Sequence, residues 1–426
     1  MPTPVELSPD TKYHLLLEIS QKIGGTLDLD QVLDLLIDAV RSAIPFDAAG
    51  IFVLNENSLA NRGRIGSHLI AGMATRGFPE RPREDDPMLK SGHGIVGYVI
   101  RTGQRVIAGD VRHDPHYVEG RAGTLSEIAV PLLVNSQILG ALNLESDRLE
   151  AFSEADAELL QFISNSAALA IEKAILHRRL LESKRIERQL EIAREVQVSL
   201  LPDHPPVLPG YDLSALNLPN SEIGGDYYDF IQLPEKQIGI AIADVSGKGI
   251  GAALIMATFR AALRTQIRLD SDISRVLRSV NNFLVESVGR SDFVTAVFGI
   301  LDPPSGRFRY SNCGHNPPLL LRAGGPTEEL DQGGMVLGVS SDALYEVSTV
   351  VLNPGDALVF YTDGVIEVPD PGLHEFGLEG LQRAVRAALA RSAHEIIQSV
   401  VGATKASQDS TGYSDDFTLL VVRREG

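Results

Sequence analysis

The spacing of apolar positions divides the chain into three zones of different texture. In residues 1–150, Leu15, Leu16, Ile19, Ile23, Leu33, Leu36 and Ile37 recur near helical spacing between positions 13 and 44. Gly24-Gly25 interrupts the run, which predicts two helices rather than one. Apolar runs at 48–54, 68–74, 129–134 and 138–144 predict strands, and Asn135-Ser136-Gln137 between the last two predicts a hairpin turn. Strands bracketed by helices imply a sheet covered on one or both faces.

From Ser153 to about Leu201 the pattern turns helical, with almost no Gly or Pro, and Ser153 with Asp156 reads as a capping box. Beyond Ile175 this stretch is charged, with apolar Leu176, Leu180, Ile186, Leu190, Ala193 and Leu200. Ile186, Leu190, Ala193, Gln197 and Leu200 alternate in steps of four and three, the seam of a short parallel coiled coil. The alternative is one amphipathic helix packed on its own domain. A polar Gln197 on an apolar seam would let a dimeric helix hold two arrangements and relay a signal, and Leu190→Pro should uncouple or unfold it. The Pro-rich segment 202–210 stops the helix and marks a domain boundary. After it, strands are predicted at 237–245, 293–301, 308–312, 356–361 and 416–422, and helices at 249–268, 272–289, 377–390 and 394–405. That mixture predicts an α+β fold with helices outside the sheets.

A length of 426 residues fits two or three domains, and 44% hydrophobic with 22% charged residues is globular composition. The net charge of −18, from 38 basic and 56 acidic side chains, argues against a nucleic-acid partner. A single cysteine, Cys313, excludes a disulfide framework and a multi-cysteine metal site, and fits a reducing compartment. The opening MPTPVELSPDTKYH lacks a basic segment followed by an apolar one, and no run of 18 apolar residues occurs. The expectation is a cytoplasmic protein with no membrane partner.

The third zone repeatedly sets Asp beside Gly or a second Asp, close to an apolar strand. The cases are Gly224-Gly225-Asp226 with Asp229, Ala243-Asp244-Val245 before Lys248-Gly249, Tyr361-Thr362-Asp363-Gly364, and Asp415-Asp416. Turn aspartates of this kind are common one at a time. Four such sites in one zone point instead to carboxylates that converge at strand ends, where their repulsion needs a cation between them. Oxygen donors without a Cys cluster select Mg²⁺ or Mn²⁺ over Zn²⁺, and no EF-hand spacing is present. GGDYY departs from the GGDEF signature of diguanylate cyclases at the glutamate, and SGKGIG has Ile242 where a P-loop needs Gly.

The ordered motifs GGDYYDF, ADVSGKGIGAALIMA, SNCGHNPP, FYTDGVIE and SDDFTLL resemble the PPM (type 2C) metal-dependent serine/threonine phosphatases, in their SpoIIE/RsbU-like branch. The resemblance covers about residues 195–424, with the domain taken as 202–426 after a linker helix at 176–201. It implies an α/β/β/α sandwich with two Mg²⁺ or Mn²⁺ ions at its edge. By position, Asp244 would bridge both ions, and Val245 would offer its backbone carbonyl. Asp226 would serve the second ion, and Asp363 with Asp415 or Asp416 the first. Asp229 would stand behind them. Asp244 and Asp363 would act through a water activated by the metals. His315 would protonate the leaving group or, as favoured here, brace its loop; Lys248 could assist phosphate binding, and Cys313 is read as inert. The kinship implies a phosphoserine or phosphothreonine protein as substrate, such as a STAS-domain anti-sigma-factor antagonist. The alternative is a non-catalytic ligand-binding or dimerisation scaffold with a phosphatase-like domain.

SGHGIVGYVIRTGQRVIAGDVRHDPHY, EIAVPLLVNSQILGALNLES and FSEADAELLQFISNSAALAIEKA resemble a GAF sensor domain over about residues 11–175. This implies an antiparallel sheet with flanking helices and either a small-molecule ligand of unknown identity or a dimerisation role. No Cys is available there for a linked bilin, and His68, His93, His113 and His116 read as surface or turn residues rather than haem ligands.

Overall fold

Strict two-residue alternation along the central strands decides which face each side chain joins, and so builds the layers of both halves. A computed structural model describes residues 23–54, 70–78, 94–220, 223–289, 292–368, 376–407 and 415–426. The expected helix ahead of Gly24, with His68 and His93, lies outside these residues. The chain divides into two compact units, Met1–Ile186 and Glu187–Gly426. The division falls inside a continuous helix rather than at the proline-rich segment.

In the first unit, helix α1 (Leu29–Ala43) is capped by Asp28, whose side chain accepts the Gln31 N–H at 3.0 Å. Strands β1 (Ala48–Leu54) and β2 (Ile70–Arg76) follow, then α2 (Gly94–Thr102), β3 (Val106–Ala108), β4 (Ser126–Val134) and β5 (Gln137–Ser146). They form one antiparallel sheet in the order β2-β1-β5-β4-β3. The predicted hairpin is present. Asn135 and Ser136 take φ of 48° and 67°, the left-handed pair that a tight two-residue turn requires. On one face Ile128, Val130, Ile51, Leu142 and Leu144 join Leu33, Leu36 and Ile37 of α1 in a continuous core. On the other, Ala129 and Ala141 meet Ile95 and Val99 of α2.

Helix α3 (Glu154–Leu200) opens on the predicted capping box, with the Ser153 N–H donating to Asp156 Oδ2 at 2.8 Å and the Asp156 N–H to Ser153 Oγ at 3.3 Å. By length and composition alone it could cross a membrane, but Ala157, Leu160, Ile163, Ala167 and Ile171 are core residues of the first unit. The expected coiled-coil seam is altered at its lower end. Leu190, Ala193, Gln197 and Leu200 are half-buried, and Leu200 packs on the core of the second unit, as the amphipathic-helix alternative requires. Arg260 Nε donates to the Leu200 carbonyl at 2.7 Å. The exposed apolar stripe of α3 runs instead through Phe162, Leu169, Leu176 and Leu180.

The second unit contains β6 (Tyr211–Leu218), β7 (Tyr227–Gln232), β8 (Ile238–Val245), α4 (Ile250–Leu269) and α5 (Ile273–Ser287). Next come β9 (Val294–Asp302), β10 (Arg307–Cys313), β11 (Leu319–Leu321), β12 (Thr327–Glu329), β13 (Gly333–Gly334) and β14 (Ser348–Val351). The last elements are β15 (Ala357–Tyr361), the short α6 (Asp363–Ile366), α7 (Gly377–Ala388), α8 (Ala393–Ser407) and β16 (Phe417–Arg424). One sheet runs β13-β10-β9-β8-β7 with β14 also on β10, and the other β12-β11-β15-β16-β6. All pairs are antiparallel except β10 with β13.

Strand β8 shows how the layers arise. Ile238, Ile240 and Ile242 meet Leu358, Phe360 and Leu420 of the facing sheet, while Ala241, Ala243 and Val245 meet Met256, Phe259 and Leu263 of α4. On the far side, Val359, Leu419 and Val421 pack under Leu381 of α7 and Ile396 and Ile397 of α8. The result is the expected α/β/β/α sandwich.

Candidate metal centre

Pairing register brings the acidic motifs to one edge of the sandwich. Tyr227 pairs with Ala243, so Asp226 at the start of β7 lies beside Asp244 near the end of β8. Tyr361 pairs with Leu419, so Asp363 after β15 lies beside Asp415 and Asp416 before β16. The two sheets are stitched together here. Thr362 Oγ1 donates to Asp226 Oδ2 at 2.8 Å, and Thr418 Oγ1 donates to the same oxygen at 2.5 Å.

Asp416 organises the loop before β7. Its Oδ1 accepts the Asn220 N–H at 2.9 Å and its Oδ2 the Gly225 N–H at 2.8 Å. A Cβ on Gly224 would stand 2.2 Å from Asp416 Oδ2, and one on Gly225 would stand 2.9 Å from the Val245 carbonyl oxygen and 3.3 Å from Asp244 Oδ1. The double glycine is therefore required for close approach. Asp415 accepts the Asp416 N–H on Oδ1 at 2.9 Å and Lys248 Nζ on Oδ2 at 3.0 Å, and it remains partly exposed.

So many carboxyls at one edge resist ionisation. Burial, and then the charge of Asp244, holds Asp226 well above the usual carboxylate range. Burial followed by the charges of Asp363, Asp415 and Asp416 pushes Asp244 up to about 7. Asp363 is raised by burial and by Asp415. Among the described residues no three His, Cys, Asp or Glu side chains already stand as a closed ligand group. The donor chemistry nonetheless fits a hard divalent cation: all the donors are oxygen, the like charges repel, and the Val245 carbonyl and Asp244 share a cradle that any side chain on Gly225 would fill.

The neighbouring residues have other work. Asp229 is fully buried and takes a bidentate pair from Arg264, Nε to Oδ2 at 2.6 Å and Nη2 to Oδ1 at 2.7 Å, plus the Tyr227 hydroxyl at 2.5 Å. His315 is buried, with Nδ1 2.8 Å from Thr295 Oγ1 and Nε2 3.1 Å from the Tyr361 carbonyl oxygen, and burial lowers it to about 4. A neutral ring that donates from Nε2 and accepts at Nδ1 is a brace between β9 and the end of β15. Cys313 is buried, and burial raises its thiol. Gln197 of α3 holds both backbone groups of Gly224, Nε2 donating to the carbonyl at 2.6 Å and Oε1 accepting the N–H at 3.2 Å. In the first unit His113 is exposed beside Asp110, and His116 stacks on Tyr98 at 4.2 Å.

Sequence reasoning passed over Thr362, Thr418 and Arg264. The two threonines flank acidic motifs directly, a readable signal; Arg264 lies 35 residues from Asp229 and had none.

A family profile for Stage II sporulation protein E (SpoIIE) matches residues 234–425, and one for the GAF domain matches residues 26–172. Phosphoserine phosphatase RsbU of Bacillus subtilis (strain 168) is 33% identical over 242 residues, which is 56% of this chain and 71% of RsbU. Phosphoserine phosphatase RsbP of the same organism is 29% identical over 186 residues, 42% of this chain and 46% of RsbP. Among solved structures, the SiaA-PP2C domain of Pseudomonas aeruginosa is similar with a TM-score of 0.52 at 21% identity, covering 57% of this chain and 98% of that domain, a likeness of fold.

Proposed function

The chain belongs to the SpoIIE-type PPM phosphatase family that includes RsbU, with a GAF domain in the same chain, and from that premise we propose that it is a metal-dependent serine/threonine phosphoprotein phosphatase. The observation that carries this reading is the edge at which Asp226, Asp244, Asp363, Asp415 and Asp416 come together from two sheets. In this proposal Asp226, Asp244, the Val245 carbonyl, Asp363 and Asp415 hold two Mn²⁺ or Mg²⁺ ions. Asp415 is favoured over Asp416, because both oxygens of Asp416 are tied to backbone N–H groups, whereas Oδ2 of the partly exposed Asp415 is held by the exposed side chain of Lys248. Once bound, the ions would polarise the phosphoryl oxygens and supply a hydroxide at neutral pH. Thr362 and Thr418 fix the Asp226 carboxylate, Gly225 keeps the cradle open, and His315 holds the β15 end in place without exchanging a proton.

Lys248, exposed at the rim beside Asp415, is suited to meeting an incoming phosphate. By analogy with the phosphoserine phosphatases RsbU and RsbP, the substrate is a phosphorylated signalling protein, with a STAS-domain anti-sigma-factor antagonist as the specific proposal. The exposed stripe Phe162, Leu169, Leu176 and Leu180 on α3, at intervals of seven and four, supports a homodimer. A cytoplasmic location agrees with this role.

The test is hydrolysis of p-nitrophenyl phosphate by the full chain with Mn²⁺, Mg²⁺ or EDTA, comparing wild type with Asp244→Asn. Turnover that needs the metal and vanishes in the variant is expected. Absence of turnover with every metal, together with failure to release phosphate from a phosphorylated STAS-domain protein, would leave the scaffold reading in its place.

A further inference from the structure

Among the half-buried positions at the end of α3, Leu190, Ala193 and Leu200 are apolar and Gln197 is not. Its amide meets both backbone groups of Gly224, Nε2 donating to the carbonyl at 2.6 Å and Oε1 accepting the N–H at 3.2 Å. A strand residue is held in this way by its partner in an antiparallel ladder, and here one side-chain amide takes the place of the neighbouring strand.

The clamp acts on the least constrained backbone of the acid edge. Glycine loses more conformational freedom on ordering than any other residue, and Gly224 and Gly225 stand together. Neither can be exchanged for a stiffer residue, because a Cβ on Gly224 would collide with Asp416 Oδ2 and one on Gly225 would press on the Val245 carbonyl oxygen. Rigidity therefore has to come from outside the loop. Asp416 supplies it from one side by accepting the Gly225 N–H at 2.8 Å, and Gln197 supplies it from the other. The end of α3 is a firm anchor for this purpose. Leu200 packs on the core of the second unit, its carbonyl accepts Arg260 Nε at 2.7 Å, and the Pro202 carbonyl just beyond accepts the Tyr228 hydroxyl at 3.2 Å.

We propose that Gln197 is a positioning residue for the acid edge, holding the double-glycine loop so that Asp226 is already ordered when ions arrive. The inference rests on the two-ion reading given above. Asp226 lies two residues beyond the clamped Gly224 and is buried, with Thr362 and Thr418 fixing its carboxylate and the clamp fixing its backbone. Without the clamp the loop must be ordered as the ions bind, and that cost is subtracted from their affinity.

The test is titration of the full, metal-free chain with Mn²⁺, the free ion being read by electron paramagnetic resonance, alongside hydrolysis of p-nitrophenyl phosphate. Gln197→Met keeps the length of the side chain and loses both bonds, so it should weaken Mn²⁺ binding about tenfold or more, the net worth of two hydrogen bonds. Turnover at limiting Mn²⁺ should fall with it and return in excess Mn²⁺, with KM for p-nitrophenyl phosphate unchanged. Arg260→Met releases the Leu200 carbonyl and leaves the amide clamp in place, so it should lower the melting temperature without changing Mn²⁺ affinity. Circular dichroism checks the fold of each variant; if Gln197→Met fails to fold, Gln197→Glu, which keeps an acceptor for the Gly224 N–H and loses the donor, should show the same weakening. Undiminished Mn²⁺ affinity in a folded Gln197 variant, a loss of turnover that excess Mn²⁺ does not restore, or equal weakening in Arg260→Met would overturn the proposal. A wild-type chain that binds no Mn²⁺ would instead remove the two-ion reading, and this inference with it.

Discussion

The Asp229–Arg264 pair allows a sharp calculation. Replacing Arg264 with Met keeps the aliphatic stem of the side chain on α4 but removes two charge-assisted hydrogen bonds, at 2.6 and 2.7 Å, from a carboxylate with no exposure. Stranding one partner of a buried pair costs about 3–5 kcal/mol. That is a large share of the roughly 5–15 kcal/mol that holds a typical domain folded. With a urea dependence of about 3 kcal/mol per molar, the midpoint should fall by about 1 M or more. Urea unfolding followed by far-UV circular dichroism and tyrosine emission measures this, the chain having no tryptophan. With two compact units, the transition that shifts should be that of the second one. Asp229→Asn in the Arg264→Met background removes the orphaned charge and keeps an acceptor for the Tyr227 hydroxyl, so it should recover at least about 1.5 kcal/mol. A single-variant loss below about 1 kcal/mol, or a double variant no better than the single, would refute the reasoning.

Three further outcomes follow from the acid edge. In EDTA, Asp244→Asn should raise the melting temperature at pH 8 and change it little at pH 4. The folded carboxyl, pushed from 3.8 to about 7, keeps its proton through that interval while the unfolded chain loses it, so the penalty grows as pH rises from 3.8 to about 7 and then levels off, and thermal melts across it will show the slope. Gly225→Ala should abolish metal-dependent hydrolysis of p-nitrophenyl phosphate while the circular dichroism spectrum persists, because its methyl would press on the Val245 carbonyl oxygen at 2.9 Å. His315→Gln should leave the shape of the pH–rate profile between pH 6 and 9 unchanged while lowering stability by about 1–3 kcal/mol, since a ring lowered to about 4 is already neutral there and serves only as a brace.

Much of this architecture is legible because the central strands are short, unbroken apolar runs, buried on both faces. The expected strands at 48–54, 237–245 and 356–361 agree with β1, β8 and β15 to within a residue, each being a run of apolar residues bounded by polar ones. The helices expected at 249–268 and 272–289 are α4 and α5. The unread elements lack that signature. Strand β7, YYDFIQ, carries a buried aspartate whose partner arrives from a distant helix, and β11 to β14 have two to four residues each, too few for a period to register. The acids themselves were readable as motifs, but their separate duties were not. Asp415 and Asp416 are equivalent on paper; the fold distinguishes them by giving the N–H groups of Asn220 and Gly225 to Asp416 and the Lys248 ammonium to Asp415. The lower α3 seam shows the converse case: a 4-3 spacing specifies a stripe but not what covers it, which is why two readings of it stood side by side.

The order of strands in the second sheet also sets an order of assembly. Among the described strands, β6 pairs with β16 alone, across some 200 residues of intervening sequence, and β16 sits between β6 and β15. The first strand of this unit therefore cannot join its sheet until the last one is in place. Closing so long a loop is entropically slow, and contacts this remote in sequence dominate folding times. Asp415 and Asp416 lie just before β16, and Asn220 and Gly225, which Asp416 holds, lie between β6 and β7. The acid edge is thus born in the same event that completes the sheet. A partly folded chain has motifs without a site, so the proposed ions and phosphorylated substrate would have nothing to bind before the second unit is whole.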